Sequence, residues 1–295
     1  MKKLKRKRKK FSKLDIAVSI IMTFLVVVII IPFWNAIVIS FSTNEAYINN
    51  RFSLWPSEFT LGNYVAILSR GKGLLTAYGN TIWVSFIGTL GGMVVMTCAA
   101  YGFSRRFPGR RVLFMISIFS MYFGGGVVPT YLNLKNLNLL NTFTGVIMLT
   151  LVSVSHIILL MKGFEAVPKE LEEAAMIDGA NDLDIFRIVM IPLNKPTLAT
   201  ITLFTFVSLW NDWYWPMLTL TDNNKLLLQV YVRNIIKAAD SMTTGLAASD
   251  SAINMSFSMG IQMATILVVI VPVMCIYPFV QKHFVKGMYV GSVKM

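Results

Sequence analysis

Long stretches of this chain carry no charge. Ile16–Asn44, Gly73–Ser104, Val112–Leu134, Asn136–Met161 and Ser251–Gln281 lack Asp, Glu, Lys and Arg, and Pro196–Thr221 is interrupted only by Asp212. A helix crossing ~30 Å of hydrocarbon needs ~20 mostly apolar residues, and every one of these windows is long enough. The pattern predicts six transmembrane helices, at about 16–39, 76–101, 112–131, 142–162, 197–218 and 257–280. Hydrophobic residues make up 55% of the chain and charged ones only 14%, where a soluble domain carries about a quarter charged residues. That balance excludes both a soluble globular domain and a disordered chain.

The distribution of bases predicts orientation, because Lys and Arg are held on the cytoplasmic face. With the N-terminus inside, 20 of the 27 bases fall on that face, in the head, Arg105–Arg111, Lys162–Lys195 and the tail. The other side keeps Arg51, Arg70, Lys72, Lys135, Lys225, Arg233 and Lys237. The expectation is an all-α, polytopic protein of the cell membrane with both termini cytoplasmic. It divides into a basic tail at 1–15, a transmembrane domain at 16–280 and a cytoplasmic tail at 281–295. A signal peptide is not expected at the start, since the apolar run is too long and no small-x-small cleavage pattern follows. The net charge of +13 would suit nucleic acid, but bases beside an anionic leaflet gain ~1 kcal/mol each. The lipid bilayer explains the basic head, and no nucleic-acid partner is expected.

Smaller features fit a helical bundle. Cys98 and Cys275 fall inside spans without metal-ligand or redox spacing. Gly88 and Gly92 form a small-x-x-x-small pair that lets two helices approach closely, in this chain or with another. Gly124-Gly125-Gly126 before Pro129 should loosen or break the outer end of the third span. A short helical hairpin over Tyr131–Thr142 then returns the chain. His156 has no acid or second histidine nearby, so a hydrogen bond within the bundle is expected. Near the end of the fifth span, Trp210-Asn211-Asp212-Trp213-Tyr214-Trp215-Pro216 concentrates rings and polar groups. Such a cluster serves either as an interfacial belt or as a sugar contact, with rings against C–H faces and amides against hydroxyls. Trp210, Asn211, Asp212 and Trp213 are the candidate substrate-path residues.

The segment between the fourth and fifth spans differs from the rest. Lys162–Pro196 holds seven of the fourteen acids and only four bases, an acidic island that topology does not require. Its grammar is two short helices. Pro168 suits a first turn, Glu170, Glu172 and Glu173 complement the helix dipole, and Gly179 supplies a left-handed stop. Leu171, Ala174, Ala175 and Asp178 fall at i, i+3, i+4 and i+7 and form a small-sided face open to close docking. Asn181 is a candidate N-cap for the second helix, with Asp184 as a capping-box partner. Pro192 should end that helix, and Pro196 should start the fifth span.

Glu173-Ala174-Ala175, Asp178-Gly179-Ala180, Phe186, Ile191-Pro192-Leu193 and Pro196 resemble the EAA loop of permease subunits of binding-protein-dependent ABC importers. The resemblance extends to Phe59-Thr60-Leu61-Gly62-Asn63-Tyr64, Tyr101-Gly102-Phe103-Ser104-Arg105, Pro129-Thr130-Tyr131 and Trp210-Asn211-Asp212-Trp213. Together these are similar to the smaller permease of maltose-type, carbohydrate-uptake systems. The resemblance implies a type I ABC importer permease fold and a non-enzymatic half-channel. Its implied partners are a second, related permease in a heterodimer, two ATPase subunits and an extracytoplasmic solute-binding protein. ATP and Mg would sit on the ATPase subunits, with no cofactor and no metal on this chain. The EAA coupling loop, 163–196, would seat Leu171, Glu173, Ala174, Ala175, Asp178 and Gly179 on an ATPase. The transported solute would be a sugar or an oligosaccharide.

The residues themselves agree that nucleotide chemistry lies elsewhere. No G-x-x-x-x-G-K-[ST] loop occurs, and no Ser/His/Asp set, histidine pair or cysteine cluster offers a catalytic site. Two other classes remain open at this level. A permease for another polar nutrient would look the same. An ion-coupled secondary transporter would place ionisable groups at the midplane, where this chain offers only His156 and the peripheral Asp212.

Overall fold

A computed structural model describes residues 13–50, 52–69, 72–243, 259–271 and 274. The described residues form helices, loops and one isolated antiparallel bridge, Ser42 to Phe59. The helices are α1 (Lys13–Ser40), α2 (Asn44–Asn49), α3 (Gly62–Ser69), α4 (Lys72–Ser104), α5 (Arg110–Tyr122), α6 (Val127–Asn136), α7 (Phe143–Thr150), α8 (Val154–Glu165) and α9 (Lys169–Ile177). Then follow α10 (Asp182–Leu193), α11 (Lys195–Asn211), α12 (Tyr214–Thr219), α13 (Leu228–Thr243) and α14 (Met259–Val271).

The chain divides into two compact units. The first, Met1–Ser69 with Ser241–Val268, is organised by the end of α1. That helix is apolar all round and exposed from Leu14 to Phe33, as expected of a helix bathed in lipid. Its 28 residues extend about 42 Å. At its C-terminal end Asn63 Nδ2 donates to the Ser40 and Ser42 carbonyls at 2.9 and 3.0 Å. The Ser40 and Tyr64 hydroxyls meet at 2.9 Å, and Phe41 packs on Phe59 and Tyr64. The Phe59–Tyr64 motif thus folds its loop back onto the helix that precedes it.

The second unit, Arg70–Asp240 with Val269–Met295, is built around α4, which packs mainly against α8 and α11. One core cluster joins Met96, Ala100, Leu160, Met161, Phe164, Ile185, Met190 and Ile201. A second joins Val84, Val146, Leu209, Leu220 and Leu227. The glycine pair is used inside this chain. A Cβ on Gly88 would lie 2.9 Å from Leu209 Cδ1, and one on Gly92 would lie 2.9 Å from the Leu151 carbonyl oxygen. His156 meets the expected hydrogen-bond partner, Thr205 Oγ1 at 3.4 Å.

Straight spans are fewer than the windows suggest. Among the described residues α1 and α4 alone are single helices long and apolar enough to cross a bilayer, and counting three bent pairs as spans brings the total to five. The third window is not one helix over 112–131. It stops at Tyr122, where Phe123 leaves helical geometry, and α6 departs at 111° from an N-cap at Gly126, whose φ of 84° suits glycine. The fourth bends by 52° between α7 and α8, where Ser153 accepts the His156 N–H to begin a new helix. The fifth ends at Asn211 rather than 218, with Asp212 as its cap. The sixth is described from Met259 to Val271, and most of the remainder of its window lies outside the described residues.

The helix that carries Pro192 ends one residue beyond it, as expected to within a residue. A π-turn over Ile185–Met190 precedes the proline, and helix continues to Leu193. The wider turn relaxes the backbone geometry that proline would otherwise violate. The corner comes at buried Asn194, whose N–H and Nδ2 both donate to the Met190 carbonyl, and α11 leaves at 81°.

Gly92→Ala should therefore lower the thermal stability of the purified complex by about 1–3 kcal/mol, the usual scale of overpacking. Gly79→Ala on the same helix has open space around it and should be neutral or slightly stabilising. Equal Tm values for the two variants would contradict this packing.

Candidate functional site

The candidate site residues fall at the two ends of α11. At its N-terminal end lies the acidic elbow, α9 and α10, and each of its turns is closed locally. Pro168 occupies the N-cap of α9, one position before the first turn, and Glu170 and Glu172 follow in that turn. Gly179 takes φ +85°, while Gly179 N donates to Met176 O at 3.0 Å and Ala180 N to Ala175 O at 3.0 Å. This is a left-handed C-terminal stop. Asn181 Oδ1 accepts the Leu183 and Asp184 N–H groups at 2.9 and 3.0 Å, and Asp184 Oδ2 accepts the Asn181 N–H at 3.2 Å. The capping box is complete.

The elbow is held to α4 and α8 by an aromatic trio and a set of ion pairs. Tyr101, Phe164 and Phe186 lie with ring centroids 4.7–6.3 Å apart. The Tyr101 hydroxyl donates to the Asp182 carbonyl at 3.0 Å and accepts from Arg105 Nη2 at 2.6 Å. Arg105 also pairs with Glu172, so α9 is tied to the end of α4. Arg110 reaches Glu165 at 2.6 Å, and Lys162 reaches the same carboxylate at 2.8 Å. The hydrogen bond from Lys162, joined by that from Arg110, holds the Glu165 carboxyl below the usual carboxylate value, against an opposing effect of burial. The stabilisation is thus complete above the ordinary carboxylate range and is lost only as the pH falls through the depressed value. Between α9 and these bases lies a cleft of about 510 Å³, lined in part by Arg105, Arg106, Lys169, Glu172, Glu173 and Met176.

The small-sided face of α9 is not one surface. Ala175 turns inward and packs on the core, whereas Leu171, Glu173, Ala174, Asp178 and Gly179 are exposed. The outward surface also includes Met176 at 50% and Ile177 at 86% exposure. Ile177 escapes the i, i+3, i+4, i+7 pattern, because the direction of the core is set by Tyr101, Arg105 and Phe164 from other helices. Arg105 and Glu172 are 67 residues apart in the chain, and no local pattern pairs them.

At the other end of α11 the aromatic cluster separates into different environments. Trp210 is 3% exposed, packs against Tyr78 and Phe206, and has no hydrogen-bond partner for Nε1. Asn211 Nδ2 donates to Val207 O at 2.9 Å, and its Oδ1 faces Gln229 Nε2 at 3.4 Å. Asp212 Oδ1 accepts the Tyr214 N–H at 3.1 Å, while Oδ2 is buried without a partner. Trp213 is 37% exposed, and the Arg233 guanidinium carbon sits 3.9 Å from its ring centroid. Trp210 is therefore a packing residue, and Asn211 and Trp213 border α13. Gln229 and Arg233 belong to this cluster, and the sequence signal for them is their i, i+4 spacing on α13.

Among the described residues no group of three His, Cys, Asp or Glu could hold a metal ion.

Comparison with known proteins agrees with this architecture. No family model matches the chain. It is 38% identical over 269 residues to a polygalacturonan/rhamnogalacturonan transport system permease protein of Bacillus subtilis, covering 90% of this chain and 92% of the relative. It is 35% identical over 266 residues to the protein LplC of the same organism, covering 90% and 89%. The crystal structure of a bacterial ABC transporter involved in the import of the acidic polysaccharide alginate contains a chain with a TM-score of 0.84 and 33% identity. That match covers 94% of this chain and 100% of the other.

If the Arg105–Glu172 pair seats α9, Arg105→Gln should loosen it. Hydrogen bonds to charged groups contribute about 1.5–3 kcal/mol, so amide exchange over Lys169–Ile177 should quicken about tenfold while α8 stays protected. Unchanged exchange in α9 would remove Arg105 from the seat.

Proposed function

The chain belongs to the permease subunits of ABC importers, and from that premise we propose that it forms one half of a transmembrane path for a sugar or oligosaccharide. The other half is a second, related permease. Two ATPase subunits bind from the cytoplasm and carry ATP and Mg, and an extracytoplasmic binding protein delivers the solute. The chain itself catalyses no reaction. Six spans within 16–280 cross the cell membrane, the bent pairs each serving as one, with the tails at 1–15 and 281–295 in the cytoplasm.

One observation carries this reading. The elbow exposes apolar side chains, with Ile177 at 86%, Leu171 at 45% and Met176 at 50%, while its inner side is locked to α4 and α8. A small protruding helix with a bare apolar tip and a rigid root suits insertion into a cleft on a partner. Leu171, Glu173, Ala174 and Asp178 meet the ATPase, Ala175 lets α9 lie close to the core, and Gly179 shapes the turn behind it. Closure of the ATPases on ATP then moves α9, and the Arg105–Glu172 and Tyr101–Phe164–Phe186 contacts convey that motion to α4 and α8 as one body. Carbohydrate as cargo is supported by the relatives named for polygalacturonan and alginate systems. It is supported also by the amides of Asn211 and Gln229 and by the partly exposed Trp213.

Purification with the neighbouring membrane proteins should yield stoichiometric ATPase subunits. Glu173→Lys and Gly179→Val should reduce their retention at least tenfold, about 1.4 kcal/mol, without lowering the amount of permease in the membrane. A cysteine at Ile177, in a chain with Cys98 and Cys275 replaced by alanine, should react with an impermeant maleimide only in inverted vesicles. Labelling in intact cells, or transport by the chain alone under an ion gradient, would refute the reading.

A further inference from the structure

Among the described residues, a cation without an anion sits in the aromatic cluster. Arg233 is half-buried on α13, its guanidinium lies over the Trp213 ring, and its Nε is buried with no hydrogen-bond partner. Among the described residues no carboxylate lies within ion-pair reach of it; the ion pairs there are the three of the elbow. The nearby acid in the chain, Asp212, directs Oδ1 to the Tyr214 N–H and leaves Oδ2 buried and unpaired. Holding a charge partly out of water is costly unless a counter-charge compensates. Stacking on an indole face returns about 0.5–2 kcal/mol and leaves the donors of the fork unused. Such a group is shaped for a planar anion that accepts two parallel hydrogen bonds, which is a carboxylate.

Its neighbours suit a saccharide carrying that carboxylate. Trp213 is 37% exposed and offers ring surface. Asn211 and Gln229 face each other at 3.4 Å, a long contact that sugar hydroxyls can replace with shorter ones. Gln229 and Arg233 are one helical turn apart, so the amides and the guanidinium line one side of α13 beside the end of α11. We propose that Arg233, with Trp213, Asn211 and Gln229, forms a subsite for the carboxylate of an acidic saccharide, a uronate, and selects it over its neutral counterpart. This deepens the reading of the chain as a saccharide permease and rests on it. Two of the similar proteins support the class: one is named for polygalacturonan and another for the acidic polysaccharide alginate.

The test uses the intact complex with its ATPase and binding-protein partners. Binding of trigalacturonate and trimannuronate, and of their methyl esters, is measured by calorimetry on the permease–ATPase complex, and the ATP hydrolysis each stimulates is measured with the binding protein present. At least one acidic trimer should bind the wild type more tightly than its ester. Arg233→Gln should raise the Kd of that acid at least tenfold and leave the ester unchanged, while Arg233→Lys should lie between. The proposal is overturned if the esters bind as well as the acids, or if Arg233→Gln weakens acid and ester alike, which would make Arg233 a staple for Trp213. Failure of the underlying reading looks different: no ATPase subunit accompanies the chain, or no saccharide changes ATP hydrolysis.

Discussion

Hydrocarbon offers no partner to a peptide N–H or C=O, so a chain this apolar keeps helix where it can and supplies a side chain where it cannot. Ser153 caps the restart between α7 and α8. Asn194 closes the corner before α11, and Asp212 receives the Tyr214 N–H where α11 ends. In the loop beyond α12, Asn141 accepts the Thr221 and Asp222 N–H groups, and Asn80 donates to the Asn224 and Leu226 carbonyls. The polar residues that interrupt apolar stretches are thus largely committed to backbone. What remains uncommitted, the Arg233 fork above all, stands out for that reason.

The same requirement explains the division of labour along α11. Its N-terminal end joins the elbow through Asn194, which fits where Gly163 has no side chain: a Cβ there would lie 2.6 Å from Asn194 Oδ1. Its last turn packs on α4, where Gly88 admits Leu209. Its C-terminal end carries the Asn211–Trp213 cluster. The elbow and the cluster are therefore joined through one helix and its close-packed neighbour. Close-packed interiors move as bodies rather than deforming continuously.

Local chemistry was legible wherever it was local. The capping box at Asn181, the left-handed Gly179, the break at Gly124–Gly126 and the hydrogen-bonded His156 all follow from residues a few positions apart or from plain need for a partner. Pro192 ends its helix to within a residue, but the π-turn before it was not legible, because a proline rule assumes α-register. Which side of α9 turns inward was not legible, because periodicity shows that a helix has two sides without showing which side meets the core. Ala175 and Ile177 differ in fate only because Tyr101, Phe164 and Arg105 approach from one direction.

The sequence by itself determined that the chain carries apolar windows long enough to cross a membrane, that one loop is acidic and small-sided, and that no G-x-x-x-x-G-K-[ST] loop is present. Those conclusions depend on composition and near-neighbour order, which transfer free energies and helix geometry read directly. Only the tertiary structure decided that Gly88 and Gly92 serve contacts within this chain, that Arg105 grips Glu172, and that Arg233 lies over Trp213 with no counter-charge among the described residues. Each joins residues distant in the chain, and their meeting is set by how helices pack and bend, which no local pattern of residues encodes.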